Sequence, residues 1–226
     1  MRLKYYINER TSIYGAGITF LDIDETILRT HARVVIKKDG KIVKRLRNFE
    51  FLQYKPEEGE EVDFSEYSDA KLFHRTSEPI ETTIKRMQKM MHGIKKSDSG
   101  SKMVIVSARA NLNDKEEFLQ TFRDFGIPID DIYIERVGEA GAAGANIPEK
   151  KKNVMFKYLL SGNYRRARLI DDSKANCRAF LELENELPDD LITSMRERYK
   201  IPIDEPVIDF YALNVTKEGS LKRIVG

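Results

Sequence analysis

Three short runs constrain this chain more than anything else in it: Gly17-Ile-Thr-Phe-Leu-Asp-Ile-Asp24, Lys102-Met-Val-Ile-Val-Ser107 and Arg168-Leu-Ile-Asp171. Each is almost continuously apolar and then ends on polar residues. A strand that is apolar on both sides must be covered on both sides, which is the condition of a central strand in a parallel sheet. Two further β-rich runs, over 131–135 and 207–212, extend the set. Between the runs, Ile80, Ile84, Met87, Met91 and Ile94 keep helical spacing, as do Phe118, Phe122 and Phe125. The second of these helices has Asn113 and Glu116 spaced as an N-terminal capping pair, with Gly126 and Pro128 to end it. Helices are also expected over 151–160 and after Ser173. Strands alternating with helices predict an α/β fold, a parallel sheet with helices on both faces.

The segment 31–77 breaks this rhythm and is expected to be a small β-containing insert, with 1–30 and 78–226 forming the core domain. Two β-rich runs, Val34 to Lys38 and Lys41 to Leu46, flank Asp39-Gly40, a strong signal for a tight hairpin. Charge divides sharply here. Lys37, Lys38, Lys41, Lys44, Arg45 and Arg47 make the hairpin basic, while Glu57, Glu58, Glu60, Glu61, Asp63 and Glu66 form an acidic stretch. Two solvated faces that partly pair with each other account for this pattern. A cap that recruits an anionic substrate would use the same residues.

Over the whole chain 39 Lys and Arg balance 37 Asp and Glu, a formal charge of +2. That is too even for a protein whose entire surface grips nucleic acid, so any such contact must be local. No apolar run approaches the roughly 20 residues needed to span a bilayer, so no membrane partner is expected. The first ten residues are charged and lack the apolar stretch of a signal peptide. A single Cys177 excludes an internal disulfide and, with only three His, a Cys/His zinc cage. A cytoplasmic location is expected. Cys177 is read as a packing residue, and His31, His74 and His92 as structural or exposed. Gly138, Gly141 and Gly144 are read as a flexible connection, because their spacing matches no phosphate-binding fingerprint.

The chemistry sits where the strands end. In Asp22-Ile-Asp24-Glu-Thr26, two carboxylates leave the first strand on one side and can converge at the carboxyl edge of the sheet. Two carboxylates so close repel unless a cation or a shared proton relieves them, and a hard cation such as magnesium is the natural partner. Ser107 ends the second strand, Lys151 opens a helix, and Asp171-Asp172 ends a later strand. Together these provide a carboxylate nucleophile, a second carboxylate, a hydroxyl, a cation and further acids for a metal. That set suits phosphoryl transfer.

In this order the groups resemble the haloacid-dehalogenase-like superfamily of phosphohydrolases, whose motifs are D-x-D-x-T, a Ser or Thr after a second strand, a Lys, and an acidic pair. The resemblance covers residues 17–30 and 79–180. It implies a Rossmann-like core with a cap and a magnesium-dependent phosphatase that works through an aspartyl-phosphate. It implies Asp22 as nucleophile, Asp24 as general acid and then base, and Lys151 as the residue that steadies Asp22. Ser107, Arg109 and Thr26 would contact the substrate, and Asp22, Asp24, Asp171 and Asp172 would hold Mg2+. Asn176 would orient the acidic loop. Lys150, Lys151 and Lys152 are consecutive, and Lys151 is preferred because Val154, Met155, Leu159 and Leu160 follow it at helical spacing. A phospho-receiver module has its acidic pair first and its Lys last, the reverse of what stands here. The expected substrate is a phosphorylated small molecule. A nucleotide or nucleic-acid end is the alternative, because Ser107-Ala-Arg109 is similar to the Ser-Gly-Arg of polynucleotide kinase-phosphatases and the hairpin is basic.

Overall fold

The computed structural model describes residues 15–51, 53–97, 99–138, 144 and 146–224. The first ten residues and Gly141, discussed above, lie outside them. In chain order the strands are β1 (Ala16–Leu21), β2 (Leu28–Arg29), β3 (Val34–Lys38), β4 (Lys41–Leu46), β5 (Glu60–Asp63), β6 (Glu78–Pro79), β7 (Lys102–Ser107), β8 (Tyr133–Arg136), β9 (Tyr164–Asp171), β10 (Asp209–Val215) and β11 (Leu221–Ile224). The helices are α1 (Asn48–Phe51), α2 (Ala70–Thr76), α3 (Glu81–Ser97), α4 (Lys115–Asp124), α5 (Ile147–Leu159), α6 (Lys174–Glu182) and α7 (Asp189–Tyr199).

The centre is a six-stranded sheet in the order β11-β10-β9-β1-β7-β8, parallel throughout except for the edge strand β11. Alternation along each strand divides the core in two. Ile18, Phe20, Val104, Val106, Ala167, Leu169, Phe210 and Ala212 face α5, α6 and α7, where Met155, Leu159, Cys177, Phe180 and Met195 meet them. Leu21, Met103, Ile105, Ile170, Leu213 and Val215 face α3 and α4, against Ile84, Met87, Met91, Phe118 and Phe122. The molecule is therefore α/β with a mostly parallel sheet covered by helices on both faces. Among the described residues no helix is long and apolar enough to cross a membrane.

Several boundaries differ from expectation for local reasons. The first strand stops at Leu21 rather than Asp24, because the Ile23 carbonyl accepts the amides of Thr26, Ile27 and Leu28, and Glu25 sits at φ 58°. That turn takes Asp24 out of the ladder, while the Asp22 amide still donates to the Ile170 carbonyl of β9. The strand expected over 131–135 starts at Tyr133, since residues 129–131 form a single 3-10 turn. The last β-rich run extends to Val215 and turns back as β11, a strand whose polar sequence gave no signal. Asp114 rather than Asn113 caps α4, with its side chain accepting the Glu117 amide at 3.1 Å. Asn113 instead accepts the Ala70 amide at 2.9 Å.

Between β1 and β7 the chain leaves the sheet and returns. At the neck, β2 and β6 pair antiparallel, Leu28 with Pro79 and Arg29 with Glu78. Beyond it β4, β3 and β5 form a small antiparallel sheet. Asp39 and Gly40 form the hairpin turn at φ 50° and 72°, as a tight two-residue turn requires. The acidic stretch lies alongside the basic one: Lys37 pairs with Asp63 at 2.6 Å and Arg45 with Glu66 at 2.6 Å. Helix α2, although within 31–77, packs on the core. The Phe73 ring lies 4.9 Å from Phe118 and 5.9 Å from Phe122, and His74 bridges Glu117 and Asp124.

Phe122 is fully buried where α2, α3 and α4 meet, so Phe122→Ala removes apolar burial and leaves a cavity. Its unfolding free energy should fall by about 3–5 kcal/mol, whereas Ile42→Ser on the exposed hairpin should change it by less than about 0.5 kcal/mol. Chemical denaturation of both variants measures this.

Candidate active site

The carboxyl edge of the sheet gathers the predicted residues from separate parts of the chain. Asp22 follows β1 and is anchored by its amide, which donates to the Ile170 carbonyl at 3.0 Å. Asp171 ends β9, Ser107 ends β7, and Lys151 reaches in from the first turns of α5. Asn146 caps α5 through the Glu149 amide and Pro148 occupies its first turn, so this helix starts where its lysine is needed.

Lys151 is fully buried, with its ammonium 2.8 Å from Asp22 Oδ1 and 2.9 Å from Asp171 Oδ2. Burial opposes its charge, but Asp171 and Asp22 outweigh that penalty and hold its pKa above the usual ammonium range. Of the three consecutive lysines, only Lys151 enters the site; Lys152 pairs with Glu186 at 2.8 Å. Asp171 is saturated, because it also accepts from Asn176 Nδ2 at 2.9 Å to each oxygen and from the Ser173 amide at 2.8 Å. Asn176 thus orients this loop, as expected. Asp22 differs. Its buried Oδ1 meets the Lys151 ammonium and, among the described residues, no further donor.

Asp172 closes the acidic group, and carboxylate oxygens of Asp22, Asp171 and Asp172 lie within 4.8 Å of one another. One lysine cannot neutralise three carboxylates this close together, two of them buried. Burial, then the neighbouring carboxylates, push Asp22 up to about 7 and Asp172 up to about 8. Thr26 is also placed here, but as a brace rather than a substrate contact. Its buried hydroxyl accepts the Asp172 amide at 2.9 Å and points back at Asp172 Oδ1, 3.4 Å away. Asn214, which no sequence pattern singled out, donates to the carbonyls of Asp171 at 3.1 Å and Asp172 at 2.7 Å. Its register opposite Asp171 on β10 is a property of the pairing, not of the linear sequence.

Asp24 stands apart from the acidic group, so its expected place as a carboxylate metal ligand is not what the geometry shows. Arg109 grips it with two bonds, Nε to Oδ2 at 3.0 Å and Nη2 to Oδ1 at 2.7 Å, and Thr30 donates to it at 2.5 Å. Burial would raise the Asp24 pKa, but the Arg109 pair overcomes it and holds it below the usual range. Arg109 was expected to clamp substrate. Its remaining amino group donates to the Tyr67 carbonyl at 2.8 Å, and its guanidinium lies 4.5 Å from the Phe73 ring centroid and 5.4 Å from that of Tyr67. The fork is occupied by the protein itself. Tyr67 and Phe73, both from the segment between the neck strands, were not foreseen as neighbours of the site.

Ser107 is buried at the end of β7, where its hydroxyl accepts the Arg109 amide at 3.2 Å and is left with its proton to donate. Gly138 is not merely a flexible link. A Cβ there would overlap the Ala108 carbonyl oxygen, so only glycine lets the β8 loop close on the Ser107-Ala108-Arg109 turn. Cys177 packs beneath the acids with a pKa pushed up to about 12, consistent with a packing role.

The raised carboxylates imply a pH dependence. In the cation-free protein Asp22 and Asp172 keep protons that the unfolded chain, with ordinary carboxyl pKa values near ~4, has already lost. The folded state therefore binds more protons between about pH 4 and 8, and stability falls as pH rises through that window. His74, raised by Glu117 and Asp124, contributes the same sign. Denaturant titrations at about pH 5 and pH 8 should show the loss, and Asp172→Asn should reduce it while His74 is left in place; an unchanged slope in that variant would contradict the assignment.

The chain matches no protein-family model and no curated protein.

Proposed function

We propose that this chain is a magnesium-dependent phosphatase of the haloacid-dehalogenase type, acting on a phosphorylated small molecule. In this reading the six-stranded sheet and its helices are the Rossmann-like core and the small sheet beyond the neck is the cap. The observation that carries it is the buried Lys151 ammonium held between Asp22 and Asp171, with Asp172 and the Ser107 hydroxyl on the same sheet edge.

The donor set suits a small hard cation. The buried Asp22 Oδ1 meets only the Lys151 ammonium among the described residues, and Asp172 supplies a second carboxylate in need of positive charge. Asp22 and Asp172 would hold the ion, with Asp171 behind them because both its oxygens are already engaged by Lys151, Ser173 and Asn176. When bound, magnesium would offset the charge of the phosphate that otherwise repels an attacking carboxylate.

Asp22 would attack phosphorus while the ester P–O bond breaks and the departing oxygen takes a proton from Asp24. Lys151 opposes the proton that burial favours on Asp22 and aims its carboxylate, and the Ser107 hydroxyl would donate to a phosphoryl oxygen. Water would then attack the aspartyl-phosphate, passing its proton to Asp24 and returning Asp22 to its carboxylate. Both Asp24 oxygens are engaged, by Arg109 and Thr30, so to give a proton as the acid or to take one from water Asp24 must leave the Arg109 fork.

A nucleotide or nucleic-acid end is the alternative substrate, suggested by the basic hairpin. Two of its cations, Lys37 and Arg45, are spent on Asp63 and Glu66, and Lys44 donates to Tyr54, which supports the small-molecule reading.

Asp22→Asn keeps the shape of the side chain and removes its nucleophilicity, so magnesium-dependent hydrolysis of a generic phosphomonoester should fall by several orders of magnitude. Activity within about tenfold of the parent would refute the covalent route. Changing Lys38, Lys41 and Lys44 together to Gln should leave KM for a small phosphomonoester unaltered. A selective, salt-sensitive rise in KM for an oligonucleotide phosphate would instead assign the hairpin to nucleic acid.

A further inference from the structure

On the α3 face of the sheet, below the carboxyl edge, three arginines meet around one tyrosine. Arg168 of β9 and Arg223 of β11 each lie with the guanidinium carbon 5.1 Å from the centroid of the Tyr211 ring on β10. Arg86 of α3 donates through Nη2 to the Tyr211 hydroxyl at 3.3 Å. Among the described residues, none of these three arginines has a carboxylate within 4.0 Å. Asp209 acts on Arg168 through its field without forming an ion pair, and Arg86 and Arg166 repel it.

Like charges gathered on a partly buried surface are costly, and two details indicate what relieves the cost. The Nε atoms of Arg86 and Arg168 are shielded from solvent and have no hydrogen-bond partner. A buried donor left unsatisfied is costly, and more so when it is charged. The approach is open as well. Arg223 is exposed, and Arg86, Arg168 and Tyr211 are half-buried, so each reaches solvent. Met90 of α3 touches Arg168 through its sulfur, at 2.9 Å from Nη1.

We propose that Arg86, Arg168, Arg223 and the Tyr211 hydroxyl form a binding site for a phosphate group, separate from the acidic edge. Planar guanidinium forks match oxyanions with paired hydrogen bonds. Phosphate is favoured over carboxylate because three forks and a hydroxyl offer more donors than two oxygens can accept, and a phosphate monoester carries close to two charges near neutral pH. Arg168 precedes Asp171 by three residues, about 10 Å along the strand, and its side chain lies on the α3 face. The site uses none of the acids, so it stands or falls independently of the phosphatase reading.

The test is a titration of inorganic phosphate into the magnesium-free protein, followed through the arginine Nε–Hε signals in proton–nitrogen NMR. Loss of single signals in Arg86→Gln and Arg168→Gln assigns the two resonances. Both should shift saturably with phosphate and not with chloride at equal ionic strength. Arg223→Gln, at an exposed edge position and therefore expected to fold, should weaken the binding about tenfold, the worth of one charged hydrogen bond. Should Arg168→Gln fail to fold, the Arg86 signal and the Arg223 variant decide the matter. A shift that never saturates, or that chloride reproduces, overturns the proposal. Repeating the titration with glycerol phosphate distinguishes the source: tighter binding points to a phosphate carried on a ligand, weaker binding to free phosphate, and both results keep the site.

Discussion

A buried ammonium between two buried carboxylates organises this molecule's carboxyl edge. Lys151 joins α5 to the ends of β1 and β9, and without it Asp22 and Asp171 would stand desolvated and mutually repelling. Removing one partner from such a group costs about 3–5 kcal/mol, far more than the intact group contributes to stability. It therefore makes better sense as a device for holding one carboxylate in place, with a cation that opposes its proton, than as a fastening. The remaining polar contacts serve the same end: Asn176 and the Ser173 amide saturate Asp171, Thr26 fixes Asp172, and Asn214 ties down the backbone of both acids.

A second arrangement connects the segment between the neck strands to this edge. Arg109 holds Asp24 with two nitrogens and the Tyr67 carbonyl with the third, and the rings of Phe73 and Tyr67 lie over it. Phe73 also packs into the α4 core through Phe118 and Phe122. The position of the second carboxylate is thus tied to a part of the chain far from it in sequence, and any movement of that segment would be felt at Asp24.

Much of the fold was legible because burial on both faces leaves a strong mark on a strand. Lys102–Ser107 is legible to the residue; β1 is cut short by the turn at Ile23, and β9 begins ahead of its apolar run, at Tyr164, in an arginine-rich stretch that carries no such mark. The polar edge strand β11 and the two-residue neck strands carry no such mark and became visible only through pairing. The acids, Lys151 and Ser107 were legible because a parallel sheet delivers its strand ends to one edge. What could not be read was how the polar groups divide among themselves. Nothing in the spacing of Asp24 and Arg109 says that they bind each other, or that Thr26 braces a loop 146 residues away. Those pairings follow from where a turn at Ile23 and a close approach at Gly138 put the backbone.

The central claim is that Asp22, steadied by Lys151, receives the phosphoryl group. The most direct measurement is an acid quench during turnover of a phosphomonoester with magnesium, followed by mass spectrometry of the peptides. A phosphoryl increment on the peptide bearing Asp22, lost on treatment with hydroxylamine, is the predicted result. An increment on Ser107 or elsewhere, or hydrolysis at full rate with Asp22 never modified, would contradict the account.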